Sequence, residues 1–525
     1  MNLSTALGLC SLTALAVSYK ILVFSPATSK SHLISNGRIA DELALAGHDV
    51  VLLEMDFMNV VNTTRTSSHA RKLGVHGLNN EVFIARSQGH SKTLFNKKSI
   101  YQKFMGELRH QELYTDLCLE VFQRKELMEL LRAEKFDAYF GEQVNICGFG
   151  LAYHLGIRHK FWISSCPMPA QSLQILGFDN PTSYLPIEVD LHPESSLLQR
   201  AENFMKHTAA VLASRVSNHY LTRRLREVFG ENMPGVEELA ASSDIVFVST
   251  DELLDILTPT MANVVHIGGL GVNDSVVAFD ETLTSEMYKG IKGVVLFTLG
   301  TIVKTTLIPP QIMKNVLQIA KSIPDYHFII KIDKNHEEIR ELAKEVKNVY
   351  VVDWLPQPSI LAHPRLRMFI THAGYNGMIE AARNGVPLLT IPFMFDQPRN
   401  GRAVAAKGWG LTRTKEDLLN NPQKIQEAVE EILNNKKYRN TASKLKKLIR
   451  SRPISPSEKL VKTTEWVIEN GGVPQIKTAG RSLHFVVYYN LDVITVFVVL
   501  PVTVIIMAIT TIVNFLKRSS KVKIE

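Results

Sequence analysis

One pattern constrains this chain more than any other: short apolar runs of strand length alternate with stretches whose apolar residues recur at helical spacing. KILVFSP (20–26) is the first run. A polar turn, ATSKS, leads into 33–47, where Leu33, Ile39, Leu43 and Ala46 share one side and Gly47 ends the stretch. HDVVLLE (48–54) is the next strand, so the segment reads as a βαβ unit. Further runs follow at 136–142, 159–165 and 244–250. Alternation of this kind predicts mostly parallel sheets and an α/β fold.

A second series follows a Gly-rich polar stretch, GGLGVNDSVVAFDETLTS, that reads as a linker. Strands are expected at 293–300, 326–332, 348–354, 368–372 and 386–392, with helices at 309–323, near 335–346 and from about 375. Region 422–450 reads as helical, with a solvated basic face set against Leu445, Leu448 and Ile449. The expected division is 19–268, a linker over 269–290, 291–450, and a return helix and juxtamembrane segment over 451–492. With 525 residues, 45% hydrophobic and 21% charged, the chain can fill two cores. The net charge of +8 is mild, and no basic patch is interleaved with aromatics, which argues against nucleic-acid binding.

The ends predict the compartment. Residues 1–18 form an uncharged apolar stretch closing on Ala16 and Ser18, the pattern of a signal peptide; a buried first strand is the alternative, and KILVFSP suits that role better. The run 493–516 is uncharged and, at about 1.5 Å per residue, long enough to cross a bilayer as one helix. A long buried core helix is the competing reading. The basic tail 517–525 is then cytosolic, which makes the chain a type I single-span protein. Lys521 and Lys523 resemble a dilysine retrieval signal of endoplasmic reticulum membrane proteins, against a plain stop-transfer cluster. Asn62 and Asn273 head glycosylation acceptors, suited to a lumenal chain. Without Cys10, the cysteines Cys118, Cys147 and Cys166 allow at most one bridge; their default is as small buried hydrophobes.

The chemistry concentrates in 353–400. Strand MFITH runs into AGYNG, a tight turn that opens a helix, and backbone amides at a helix N-terminus bind anions. Gly374 and Gly377 allow close backbone approach, and His372 could donate to the same anion. Glu380, one helical turn on, suits a ribose diol; Trp354 offers a flat face for a base and Gln357 an amide beside it. Asp396 and Gln397 follow a strand and could bind sugar hydroxyls.

This constellation resembles the signature of the UDP-glycosyltransferase family, whose animal members include UDP-glucuronosyltransferases. The matching elements are WLPQ (354–357), HP (363–364), FITHAGYNGMIEA (369–381), GVP (385–387) and the P-F-x-x-D-Q-P-x-N run (392–400). Ala373 and Tyr375 stand where the family commonly has Gly and Ala or Ser. The resemblance implies a GT-B arrangement of two Rossmann-like domains, with the donor in the C-terminal half and a small lipophilic hydroxyl-bearing acceptor in the N-terminal half. It places uracil on Trp354 and Gln357, the diphosphate on His372, Asn376 and Gly377, ribose on Glu380, and the transferred sugar on Asp396 and Gln397. TLGT (298–301) resembles the family's phosphate turn, with Thr298 and Thr301 keeping its hydroxyls. A UDP-sugar is co-substrate, and neither a cofactor nor a metal is expected; the helix N-terminus and His372 would supply the counter-charge on leaving UDP.

Ser31-His32 matches the family's catalytic Ser-His element, with His32 as general base. The adjacent helix N-terminus is expected to keep its imidazole neutral. Glu142, at the end of the run 136–142, stands where the family's orienting Asp is common. These residues point to an inverting, glucuronosyltransferase-type enzyme of the endoplasmic reticulum membrane, possible as a homo-oligomer. Ser249 aligns where many vertebrate glucuronosyltransferases have Arg, which raises UDP-glucose as the alternative donor. A catalytically silent, membrane-anchored ligand-binding protein is the rival from another class.

Overall fold

The computed structural model describes residues 18–522 except 97, 188–190, 192, 193, 273–277 and 302. The expected signal peptide up to residue 17, Asn273 and Lys523 therefore lie outside the described residues.

Two parallel sheets are present. The first holds β1 (Lys20–Pro26), β2 (Asp49–Met55), β3 (Arg71–Val75), β4 (Ala138–Glu142), β5 (His159–Ser164), β6 (Ile245–Val248) and β7 (Val264–His266). Its order is β3-β2-β1-β4-β5-β6-β7. The second holds β8 (Gly293–Thr298), β9 (Tyr326–Lys331), β10 (Val349–Val352), β11 (Leu366–Thr371), β12 (Leu388–Thr390) and β13 (Gly410–Thr412), in the order β10-β9-β8-β11-β12-β13. Helices cover both faces of each sheet, which explains why the strands are apolar throughout rather than alternating. Ile21, Leu22, Val23 and Phe24 of β1 are all fully buried; Ile21 and Val23 pack into one cluster, Leu22 and Phe24 into another. Val294 to Phe297 of β8 divide in the same way.

Strand order reverses between β1 and β4 in the first sheet and between β8 and β11 in the second. Such points open a crevice beyond the strand ends, because the helices on either side depart to opposite faces.

Several elements depart from the sequence reading. Region 422–450 is two helices, Pro422–Asn434 and Lys436–Arg450, broken at Asn435, whose side chain accepts from the Lys437 amide. Region 55–125, for which no element was predicted, contains β3 and the helices Glu81–Lys92 and Ile100–Phe122. Cys118 and Cys147 are not independent buried hydrophobes; they form a disulfide, and Cys166 is free. The bridge ties the Ile100–Phe122 helix to the Cys147–His154 helix beneath the first sheet.

After the second sheet, the Pro456–Glu469 helix returns to the first, and Leu460 and Val467 enter the cluster of Ile21, Val23 and Ile39. Residues 474–489 then run along the first unit: Tyr489 Oη donates to Asp179 (2.7 Å), and Tyr488 Oη donates to the Gly177 carbonyl (3.3 Å). Leu491–Lys517 is helical and exposed, and long and apolar enough to cross a membrane. A π-helical turn, Thr495–Val499, precedes Pro501. A wider turn gives a proline ring room beside the carbonyl one turn back that it would otherwise meet.

Candidate active site

Both reversal points carry the expected residues. Beyond β1, Ser29 caps the Lys30–Leu45 helix by accepting from the His32 amide (3.3 Å), which fixes His32 in the first turn. At the end of the neighbouring β4, Glu142 is fully buried, and its Oε2 lies 3.4 Å from His32 Nδ1. That separation is long for a hydrogen bond, so the attraction is chiefly electrostatic. Glu142 Oε1 accepts from the Gln143 amide (3.0 Å) and Oε2 from Ser165 Oγ (2.5 Å). Burial pushes the Glu142 carboxyl up, but His32 and these donors hold it below the usual carboxylate range.

For His32, burial pushes the imidazole pKa down, yet the Glu142 carboxylate, aided by Asp396, more than reverses this, and the net shift is upward. This corrects the expectation of a helix dipole keeping the ring neutral: a full charge on a buried carboxylate outweighs the partial charge of a helix end.

Beyond β8 and β11 the second half of the cleft forms. The Tyr375–Asn384 helix starts at Gly374 with no side-chain cap and no acid in its first turn, so its leading amides, including those of Asn376 and Gly377, are open to an anion. His372 packs against the turn after β8: a Cβ at Gly300 would lie 2.4 Å from its ring, and one at Gly374 2.5 Å. Ala373 takes φ +66, which explains why a residue without Cβ is common there. Burial, with Lys331 adding, pushes His372 down to about 4. His372 is thus neutral while the site is empty.

A cation beside this turn is Lys331, at the end of β9, which the sequence reading missed. Its Nζ donates to the Gly300 carbonyl (2.7 Å) and sits 5.5 Å from the centre of the Trp354 ring. It has no ion-pair partner among the described residues. Its strand end beside the phosphate turn was the available signal. Trp354 is 68% exposed, so a ring face is open to a base. Gln357 donates to Glu380 Oε2 (2.7 Å), joining the two residues expected at uracil and ribose. Burial pushes the Glu380 carboxyl up.

The remaining predicted residues divide. Thr301 is exposed, whereas Thr298 is buried and its Oγ1 accepts from the Gly300 amide (3.0 Å), so Thr298 shapes the turn. Asp396 Oδ2 accepts from Asn400 (2.6 Å), and burial raises its pKa. Gln397 is buried, with Oε1 accepting from the Phe393 and Met394 amides, which leaves its amide nitrogen for a ligand. Arg399 clamps this segment to the first unit through a bidentate pair with Asp255 (3.0 and 2.8 Å). Asn62 is exposed. Ser249 Oγ lies 3.4 Å from Ser35 Oγ of the Lys30–Leu45 helix.

The family model described as "UDP-glucoronosyl and UDP-glucosyl transferase" matches residues 19–524. A Caenorhabditis elegans protein named "Putative UDP-glucuronosyltransferase ugt-48" is 46% identical over 100% of this chain and 99% of its own. Human "UDP-glucuronosyltransferase 1A3" is 28% identical over 93% of this chain and 90% of its own. Among solved structures, "Spinosyn Rhamnosyltransferase SpnG complexed with thymidine diphosphate" superposes with TM-score 0.54 at 17% identity, covering 85% of this chain and 100% of that one. The glycotransferase of kitacinnamycin gives 0.56 at 18% identity, covering 87% of this chain and 100% of that one. The chain belongs to the UDP-glucuronosyl and UDP-glucosyl transferase family, and is a hexosyltransferase of the GT-B fold.

Proposed function

We propose that this enzyme transfers the sugar of a UDP-sugar, with inversion, to a hydroxyl of a small lipophilic acceptor, with His32 as general base. The observation that carries the reading is the meeting of two reversal points in one cleft. The buried Glu142 of the first sheet and Asp396 of the second both raise the basicity of His32. His32 Nε2 takes the acceptor's hydroxyl proton while the oxygen attacks the anomeric carbon. The bond from that carbon to the diphosphate breaks, and UDP leaves with the electron pair. Glu142 stabilises the imidazolium, and the Tyr375–Asn384 helix N-terminus with Lys331 stabilises the leaving diphosphate. Trp354 and Gln357 hold uracil, Glu380 the ribose, and Asp396 with the Gln397 amide the sugar. The thymidine diphosphate named for the rhamnosyltransferase structure is a related nucleotide.

Glucuronate is the donor sugar that the relatives' names favour. UDP-glucose is the second reading, favoured by Ser249, which sits against Ser35 with no cation at that position.

A type I anchoring in the endoplasmic reticulum membrane, with the cleft in the lumen, is supported by the Leu491–Lys517 helix, the exposed Asn62 acceptor and the Cys118–Cys147 disulfide, since such bonds persist in oxidising compartments. The test is a competition: membranes carrying the protein receive equal UDP-glucuronate and UDP-glucose with a panel of phenols and sterols, and products are weighed and their anomeric configuration determined. His32→Ala should abolish transfer and leave UDP binding intact. Transfer above about 10% of wild type, in a step where a base contributes roughly 10²-fold or more, overturns the role of His32.

A further inference from the structure

A cavity of about 740 Å³ lies outside the catalytic cleft, between the helices Ala170–Ile175, Leu197–Phe229 and Val236–Ala241 on one side and residues 480–489 on the other. Two guanidinium groups line it, Arg215 and Arg481, and neither has an ion-pair partner among the described residues. Arg481 Nη1 is buried with no hydrogen-bond partner. Two carboxylates, Glu237 and Glu238, also line it without ion pairs among the described residues; Glu237 accepts from Asn218 (2.9 Å). Aromatic rings complete the wall: Arg215 sits 5.5 Å over the ring of Phe485, and Tyr488 and Tyr489 lie alongside. Opposite charges in one cavity that do not neutralise each other suit a ligand that is itself bipolar.

The position of the cavity narrows the ligand further. Its wall ends at Tyr489, and the helix long enough to cross a membrane begins at Leu491. Its surroundings are apolar and exposed: Leu483 and Val486 on one side, Leu212 and Val216 on the facing helix. Exposed apolar side chains beside a membrane-crossing helix suit the headgroup–acyl boundary.

We propose that this cavity holds the headgroup of a zwitterionic phospholipid. The phosphodiester lies against Arg215 and Arg481, the ammonium lies against Glu237, Glu238 and the aromatic faces, and the acyl chains leave over Leu212, Val216, Leu483 and Val486. Free phosphate would answer only half of this charge pattern. The assignment rests on the reading of Leu491–Lys517 as a membrane anchor. Carbonate extraction of membranes tests that reading by itself, and the binding experiment is done in detergent, so the two can fail separately.

Full-length protein in alkyl maltoside micelles is titrated with dihexanoyl phosphatidylcholine below its micelle concentration and followed by native mass spectrometry, with dihexanoyl phosphatidylglycerol and inorganic phosphate as parallel arms. One phosphatidylcholine should bind, with phosphatidylglycerol at least tenfold weaker and inorganic phosphate weaker still. The Arg215→Ala/Arg481→Ala double variant should lose at least tenfold in phosphatidylcholine affinity at unchanged UDP affinity. If that variant does not fold, Glu237→Gln/Glu238→Gln decides: it should keep phospholipid binding and lose the preference for choline over glycerol. Inorganic phosphate binding as tightly as phosphatidylcholine would reduce the cavity to an anion site and overturn the proposal. Displacement of the lipid by a phenolic acceptor would make it an acceptor vestibule and overturn it too, as would binding indifferent to both variant pairs.

Discussion

Tyr375 Oη lies between the two backbone groups of Asp251, accepting from its amide at 2.9 Å and facing its carbonyl at 3.3 Å. Tyr375 opens the helix whose N-terminus is the proposed diphosphate site, and Asp251 follows the last residues of β6 in the other sheet. Both groups are buried. A residue where the family commonly has Ala or Ser thus stitches the two units together beside the anion site.

Tyr375→Phe keeps the ring packing and leaves the Asp251 amide unpaired, while the Asp251 carbonyl still accepts from the Leu254 and Asp255 amides. A buried unsatisfied group costs about 1–3 kcal/mol, so the thermal midpoint should fall and UDP-sugar KM should rise together. A variant with unchanged midpoint and unchanged KM would make the contact incidental.

The pH profile should report the His32–Glu142 pair. A raised imidazole pKa means that His32 becomes a free base only as pH climbs through a value above 6.5, so kcat/KM should rise through a midpoint above 6.5. Glu142→Gln removes the carboxylate but leaves the burial, which opposes charge; the midpoint should move down. Activity should also fall, by at least about tenfold, because the imidazolium formed in transfer loses its partner. A midpoint that stays put or moves up would refute the pairing.

His372 is neutral above about 4 while the site is empty. A diphosphate beside it favours the protonated ring, so binding of UDP-glucose, whose diphosphate carries no group titrating in this range, should take up protons near pH 5.5. Calorimetry in two buffers of different ionisation enthalpy measures the uptake. His372→Gln should abolish it; uptake surviving in that variant would place the titrating group elsewhere.

The Cys118–Cys147 bridge closes a loop of 29 residues. By loop-closure entropy alone its loss should cost roughly 3–4 kcal/mol. The Cys118→Ser/Cys147→Ala double variant should unfold at correspondingly lower urea, read against wild type with and without reductant. Reductant leaving the wild-type transition where it was would show that the bond is absent.

The sheets were legible because their strands are buried on both faces, which leaves continuous apolar runs such as Ile21–Phe24 and Val294–Phe297. The residues expected to hold the donor, apart from Thr298 and Thr301, could be grouped from sequence because they lie within one contiguous stretch, 353–400. Contacts between distant segments were not. Lys331 matters through Gly300 and Trp354, Arg399 through Asp255, and Ser165 through Glu142, and no local pattern joins those pairs. The Leu197–Phe229 helix was missed for a different reason. Leu198, Met205, Leu212 and Val216 are exposed on its outer side while Val211, Leu221 and Leu225 are buried, so apolar residues occur all round and blur the helical period.

The returning Pro456–Glu469 helix sets a clock on biosynthesis. The first sheet is completed by His266, yet Leu460 and Val467 are needed to close its core. About 200 residues separate the two, which at 5–20 residues per second is roughly 10–40 s of translation. Throughout that interval the nascent chain presents an open apolar groove. A chain released early, or a hybrid whose tail comes from a relative with different residues at 460 and 467, inherits the same groove as a permanent defect.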